Sequence, residues 1–151
     1  MVDVSAPTWK AVRCTLTATL DGLPDGGFVV ISEPVRERPR AGGLRGLLGG
    51  PAAPEPARFV QARRDGDALT AECVGAASFG GPWDVDAETD ARLRSLGWLR
   101  PGDAGYEPMG GPAYRRWADV ADHAAVAGLL VASLEALGLA PTGPLVMTTG
   151  R

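Results

Sequence analysis

The chain of 151 residues has few of the side chains that catalysis, disulfide bonding and membrane insertion require. It contains one histidine and two cysteines, and no apolar run approaches the roughly 18 residues of a membrane span. Two cysteines are too few for a disulfide scaffold, and the opening "MVDVSAPTWK" lacks the basic and apolar regions of a signal peptide. We therefore expect a cytoplasmic protein without a membrane partner.

Positive charge is also scarce, because 15 basic residues face 18 acidic ones and the net charge is −3. An acidic balance argues against binding to nucleic-acid phosphates, so we expect no nucleic-acid partner. The hydrophobic fraction of 45% and the charged fraction of 22% are ordinary for a globular protein. At this length they predict a single domain over residues 1–151.

Two patterns compete for the first element. Alternation of apolar and β-branched residues in "VRCTLTATL" would suit a strand. Apolar residues also recur at three- and four-residue steps, which favours a helix with Thr8 as N-cap and Gly22 as its stop. We predict the helix, with an apolar stripe of Trp9, Val12, Leu16, Leu20 and Leu23.

Strands are predicted on both sides of a segment rich in proline and glycine. "FVVIS" at 28–32 suits a buried strand, whereas residues 33–57 break any regular element and are predicted to form a flexible loop. In "RFVQARRDGDALTAECV", Asp65 and Gly66 suit a type I′ turn that would pair Arg64 with Asp67. The inward face of this hairpin is then Val60, Ala62, Leu69, Ala71 and Cys73.

The second half of the chain is predicted from its helix caps. Asp84 or Asp86 begins a helix that Gly97 ends in the left-handed conformation, with Trp98 buried beneath the cap. Short strands are expected around Tyr106 and at "YRRW", followed by a helix over residues 117–137. "PLVMT" is expected to add a terminal edge strand.

The resulting order, α-β-β-β-α-(β-β)-α, describes an α+β fold in which helices flank an antiparallel sheet. This order resembles the type III secretion chaperone fold and the related YbjN-like domains. The segments "TWKAVRCTLTATLDGLPDGGFVVIS", "RFVQARRDGDALTAECVG" and "LRSLGWLRPG" are similar to those of TY-Chap domains. The resemblance spans the chain from about Trp9 to Leu145.

The resemblance implies a non-enzymatic, chaperone-like module that holds a segment of a partner protein or peptide. It further implies a homodimer, no cofactor, and a partner that is effector-like, toxin-like or peptide-modifying. No catalytic residue is carried over from the family. The expected partner contacts come from the basic loop and from one exposed tryptophan: Arg36, Arg38, Arg40, Arg45, Leu47, Leu48 and Trp83.

Two other functions remain open at this stage. His123 with Asp119 or Asp122 could serve acid–base catalysis in a small enzyme, although the lack of a second histidine favours a solvated helix flank. A regulatory domain without a client is the third reading. Cys14 and Cys73 are both expected to pack in the core as small hydrophobic residues.

Overall fold

The computed structural model describes residues 1–35 and 57–151. Within these ranges the chain forms a six-stranded antiparallel sheet in the order β1-β6-β2-β3-β4-β5. Its strands and α-helices, in chain order, are β1 (Val2–Asp3), α1 (Trp9–Asp21), β2 (Phe28–Ser32), β3 (Phe59–Asp65), β4 (Ala68–Cys73), α2 (Ala87–Ser95), β5 (Tyr114–Asp119), α3 (His123–Ala136) and β6 (Val146–Gly150). The α+β class and the flanked antiparallel sheet are confirmed.

The three helices pack on one face of the sheet, and the hydrophobic core lies between the two layers. The core joins α1, α2 and α3 to alternate residues of the central strands. The five hairpin residues predicted to face inward, Val60, Ala62, Leu69, Ala71 and Cys73, are all buried. No helix in the described ranges is long and apolar enough to cross a membrane.

The first element is the helix α1, as predicted. Thr8 accepts a hydrogen bond from the Ala11 backbone N–H at 3.3 Å, and Gly22 follows the last turn. The threonines that also suited a strand donate to carbonyls four residues earlier, for example Thr17 to Arg13 at 2.8 Å. Because these hydroxyls are satisfied inside the helix, the apolar stripe decides the conformation.

The hairpin register differs from the prediction by two residues. Arg64 pairs with Leu69, and Asp65 pairs with Ala68, so the turn residues are Gly66 and Asp67. Gly66 has a φ of 63°, while no described residue other than glycine has a positive φ. A positive φ at the first central position alone is typical of type II′, not type I′. A shift of two residues keeps every side chain on its predicted face.

The predicted end of α2 is confirmed in detail. Asp86 caps its first turn by accepting from the Thr89 N–H at 2.7 Å. Gly97 has a φ of 98°, and Trp98 donates its backbone N–H to the Leu93 carbonyl at 3.3 Å. This is a Schellman motif, and the Trp98 side chain is only 1% exposed.

Three predictions for the C-terminal half are wrong. The α-helix does not begin at residue 117, because Trp117 in β5 pairs with Thr70 in β4 and a short 3₁₀ helix, Val120–Asp122, precedes α3. The region around Tyr106 is not a strand. The last strand, β6, lies between β1 and β2 and is not at the edge. Spacing alone does not separate a strand that leads into a helix from a longer helix.

Candidate functional site

Helix α3 is apolar on every side, although one of its sides faces solvent. Between His123 at its start and Glu135 near its end it contains no charged residue. Ala124 and Ala125 are exposed, and Leu129 is half-buried. A helix that is apolar all round is typically buried all round. The outward side of α3 is therefore an apolar surface that no other part of the described fold covers.

A groove of about 360 Å³ runs along this side of α3, bounded by β5 and by the end of α2. Small side chains on α3 leave the space, and the side chain of Ala118 on β5 forms the opposite wall. We call it the α3–β5 groove. It is lined by Leu96, Arg116, Ala118, Asp122, Ala125, Val126, Gly128, Leu129 and Ala132.

Buried hydrogen bonds fix the walls of the α3–β5 groove. Trp98 Nε1 donates to Ser133 Oγ at 2.8 Å, and that hydroxyl donates to the Leu129 carbonyl at 2.7 Å. On β5, the Tyr114 hydroxyl donates to Asp90 on α2 at 2.7 Å. Burial and the bond to Asp90 raise the pKa of Tyr114, so the hydroxyl remains a donor. The groove is therefore preformed.

Strand β5 is the edge of the sheet, and only part of that edge is covered. Arg115 exchanges both backbone bonds with Leu99, at 2.9 and 3.0 Å, on the side away from β4. In an antiparallel ladder every second residue points its N–H and C=O outward. Trp117 therefore presents its backbone N–H and C=O at the open part of the edge, beside the groove.

Sequence reasoning missed the role of Arg115, which is buried on the face opposite the helices. Its side chain is 2% exposed and pairs with Glu72 at 2.8 Å. It also donates to the Tyr106 hydroxyl at 2.6 Å and to the carbonyls of Met109 and Gly111. These bonds hold the segment 99–113 against β5, so the open edge begins after Arg115. Glu72 and Arg115 pair across β4 and β5, which are distant in the sequence, so the β3–β4 hairpin gave no signal of this pair.

Opposite charges stand at the two ends of the α3–β5 groove. Arg116 lies at the α2 end, where its guanidinium donates to the carbonyls of Leu96 at 3.4 Å and Gly97 at 3.2 Å. Asp122 lies at the other end, directly before α3, and is exposed. Within residues 1–35 and 57–151, neither side chain forms an ion pair.

The structure does not test most of the predicted partner contacts. Arg36, Arg38, Arg40, Arg45, Leu47 and Leu48 lie outside the described residues. Trp83 is half-buried and donates its indole N–H to the Ala57 carbonyl at 3.3 Å, with Arg58 5.9 Å from its ring centre. It lines a separate cleft of about 160 Å³, which shares no lining residue with the α3–β5 groove.

His123 has different neighbours from those predicted. Its Nε2 lies 3.7 Å from Asp21 on α1, and its Nδ1 is 3.2 Å from the Val120 carbonyl. Asp119 instead accepts from the Ala121 N–H at 2.8 Å. In the described ranges no group of histidine, cysteine and carboxylate side chains could hold a metal ion.

The two cysteines differ in their surroundings. Cys73 packs in the core as predicted, and burial raises its pKa to about 12. Cys14 is exposed on α1, so the prediction that it packs in the core is wrong. It lines a shallow depression of about 460 Å³ together with Asp21 and His123. The two thiols are free.

An antiparallel sheet with a partly open edge and an adjacent apolar groove has the features that strand addition by a peptide uses. A family model described as "T3SS (YopN, CesT) and YbjN peptide-binding chaperone 3" matches residues 3–142. The chain belongs to this family, TY-Chap3, and the predicted resemblance is confirmed. No curated protein and no solved structure matches the chain.

Proposed function

We propose that this chain is a non-enzymatic, chaperone-like module that holds an extended segment of a partner protein in the α3–β5 groove. The observation that carries the proposal is the apolar outward side of α3 lying beside an open strand edge. A peptide added to β5 would bond to the backbone of Trp117. Its side chains facing the helices would enter the groove opposite Ala118.

Two further features support a bound strand over a bound helix. The groove lies along β5, where the outward N–H and C=O of Trp117 match the hydrogen-bonding groups of an extended backbone. On the opposite side of the added strand, the half-buried Trp117 ring would contact alternate side chains. Trp117 already meets the Tyr106 ring edge-on, with centroids 6.1 Å apart, so this contact surface is held in place.

We propose a partner of the effector-like, toxin-like or peptide-modifying kinds that the resemblance implies. We also propose a cytoplasmic homodimer, with the dimer contact outside the α3–β5 groove. The predicted loop residues and Trp83 are proposed as secondary contacts that act after the segment has entered the groove.

The test is to select peptides from a displayed library of random 12-residue sequences on the folded protein. The dissociation constant of the best peptide is then measured by fluorescence anisotropy. We expect Ala125→Arg to weaken binding at least 10-fold, because it places a long charged chain in the groove. The matched control is Ala91→Arg on the exposed side of α2, which should change the constant less than about 2-fold.

Two outcomes would overturn the proposal. One is that no peptide is enriched, or that Ala125→Arg binds as well as the unaltered chain. The other is that sedimentation shows a dimer that Ala125→Arg dissociates, because a second copy then covers the outward side of α3. Circular dichroism of each variant ensures that a loss of binding is not a loss of folding.

A further inference from the structure

We infer that the segment held in the α3–β5 groove carries an apolar residue between an acidic and a basic residue, spaced as acid-x-apolar-x-base or the reverse. This inference rests on the proposed function and names the class of peptide that the groove accepts. It follows from the two unpaired charges at the ends of the groove and from the length of α3 between those ends.

The charged residues at the two ends of the groove have no ion-pair partner in the described part of the chain. Arg116 and Asp122 both line the groove, and no described residue neutralises either of them. Six other described arginines form ion pairs, whereas Arg13, Arg64 and Arg151 are like Arg116 in forming none with a described residue: the six are Arg58, Arg63, Arg92, Arg94, Arg100 and Arg115. Arg116 donates only to carbonyls, through bonds of 3.2 and 3.4 Å, so its guanidinium retains capacity for a carboxylate.

The length of the groove along α3 matches a short extended peptide. Trp98 and Ser133 are bonded to each other, which places the α2 end of the groove beside Ala132. Asp122 directly precedes α3 and Ala132 is the tenth residue of that helix, so the two are about 15 Å apart at 1.5 Å per residue. An extended peptide covers about 13 Å in four residues. Charged residues at positions i and i+4 therefore reach the two ends together.

Alternate residues of the bound peptide face the groove. Residues i, i+2 and i+4 of an extended peptide all point to the same face. If the charges at i and i+4 face the groove, the residue at i+2 faces its centre, where Ala125 and Leu129 provide an apolar wall. Positions i+1 and i+3 then face Trp117 on the other side of the sheet.

The test uses four synthetic peptides with identical threonine frames and a central leucine. They carry Glu and Lys, Lys and Glu, two Glu, or two Lys at the flanking positions. We expect one of the mixed peptides to bind about 3- to 5-fold more tightly than either like-charged peptide at low salt. The preference should shrink at 0.5 M salt, since the two end charges are exposed to solvent.

Reversing one groove charge at a time in the protein should change which of the four peptides binds most tightly. Arg116→Glu makes both ends acidic, so the peptide with two Lys should become the tightest. Asp122→Lys should instead favour the peptide with two Glu. The control Asp84→Lys changes an exposed carboxylate outside the groove and should leave the order of the four peptides unchanged.

The outcomes separate the two claims. Equal binding of the four peptides, or an unchanged order in Arg116→Glu, overturns the charge rule. If Ala125→Arg still abolishes binding in that case, the proposed function stands. If Ala125→Arg leaves the binding of all four peptides intact, the groove is not the site, and both claims fail.

Discussion

Arg115 carries a charge inside the fold, and its value to the protein depends on Glu72. The pair is joined at 2.8 Å, with Arg115 2% exposed and Glu72 20% exposed. The remaining donors of the guanidinium go to the segment that covers the first part of the β5 edge. A single side chain therefore sets where the open edge begins.

Arg115→Met is expected to destabilise the fold by about 3 kcal/mol, since it leaves the mostly buried Glu72 carboxylate without its ion-pair partner and with only the Gln61 amide as a side-chain donor. The measurement is urea unfolding followed by tryptophan fluorescence. The control Arg92→Met removes an exposed i,i+4 pair with Glu88 and should cost no more than about 0.5 kcal/mol. Equal effects of the two substitutions would contradict the structural role of Arg115.

At the scale of elements, the junction between α2 and β5 ties helix capping to the α3–β5 groove. Gly97 ends α2 with a φ of 98°, and a Cβ at this position would collide with the Arg116 guanidinium. The C-terminal cap of α2 therefore helps to position the Arg116 guanidinium at the end of the groove. The glycine that the left-handed backbone favours also leaves space for the Arg116 side chain.

Gly97→Ala is expected to destabilise the fold by about 1–2 kcal/mol, the cost of a left-handed alanine. It should also displace Arg116 and reduce the preference for mixed-charge peptides. Gly102→Ala is the matched control, because Gly102 has a φ of 93° and open space around it. The control should show similar destabilisation by thermal unfolding but an unchanged order of the four peptides. If both variants keep that order, the cap does not position Arg116.

The elements also show what could be predicted from the sequence. Helix caps and helical spacing identified α1, caps identified α2, and alternation identified the inward face of the hairpin, because these signals are local. The start of α3 was placed six residues early, at Trp117 instead of His123. The reason is tertiary, since pairing with Thr70 holds Trp117 in a strand. The α3–β5 groove joins three distant elements, so no local pattern could have predicted it.

At the scale of the whole molecule, partner contacts are predicted at the loop and proposed in the α3–β5 groove. Glu33 donates its backbone N–H to the Arg58 carbonyl at 3.2 Å, so the chain leaves and re-enters the sheet at neighbouring positions. A short linker can therefore join the two strands.

Replacing residues 36–56 with a short Gly/Ser linker is expected to keep the fold and to change the affinity for the selected peptide by less than about 3-fold, because β2 and β3 retain their pairing. The comparison is anisotropy of the replaced and full-length chains, with circular dichroism as the folding control. A loss of binding with the fold intact would return the main contact to the predicted residues of the loop.

The partial covering of β5 by Leu99 has a consequence for self-association. An unprotected edge strand can pair edge to edge with the strand of another copy, which leads to aggregation. Here the segment around Leu99 occupies one end of the edge, and the turn into α3 closes the other. The open part of the edge at Trp117 is long enough for one short strand, but it is too short to extend into a continuous intermolecular sheet.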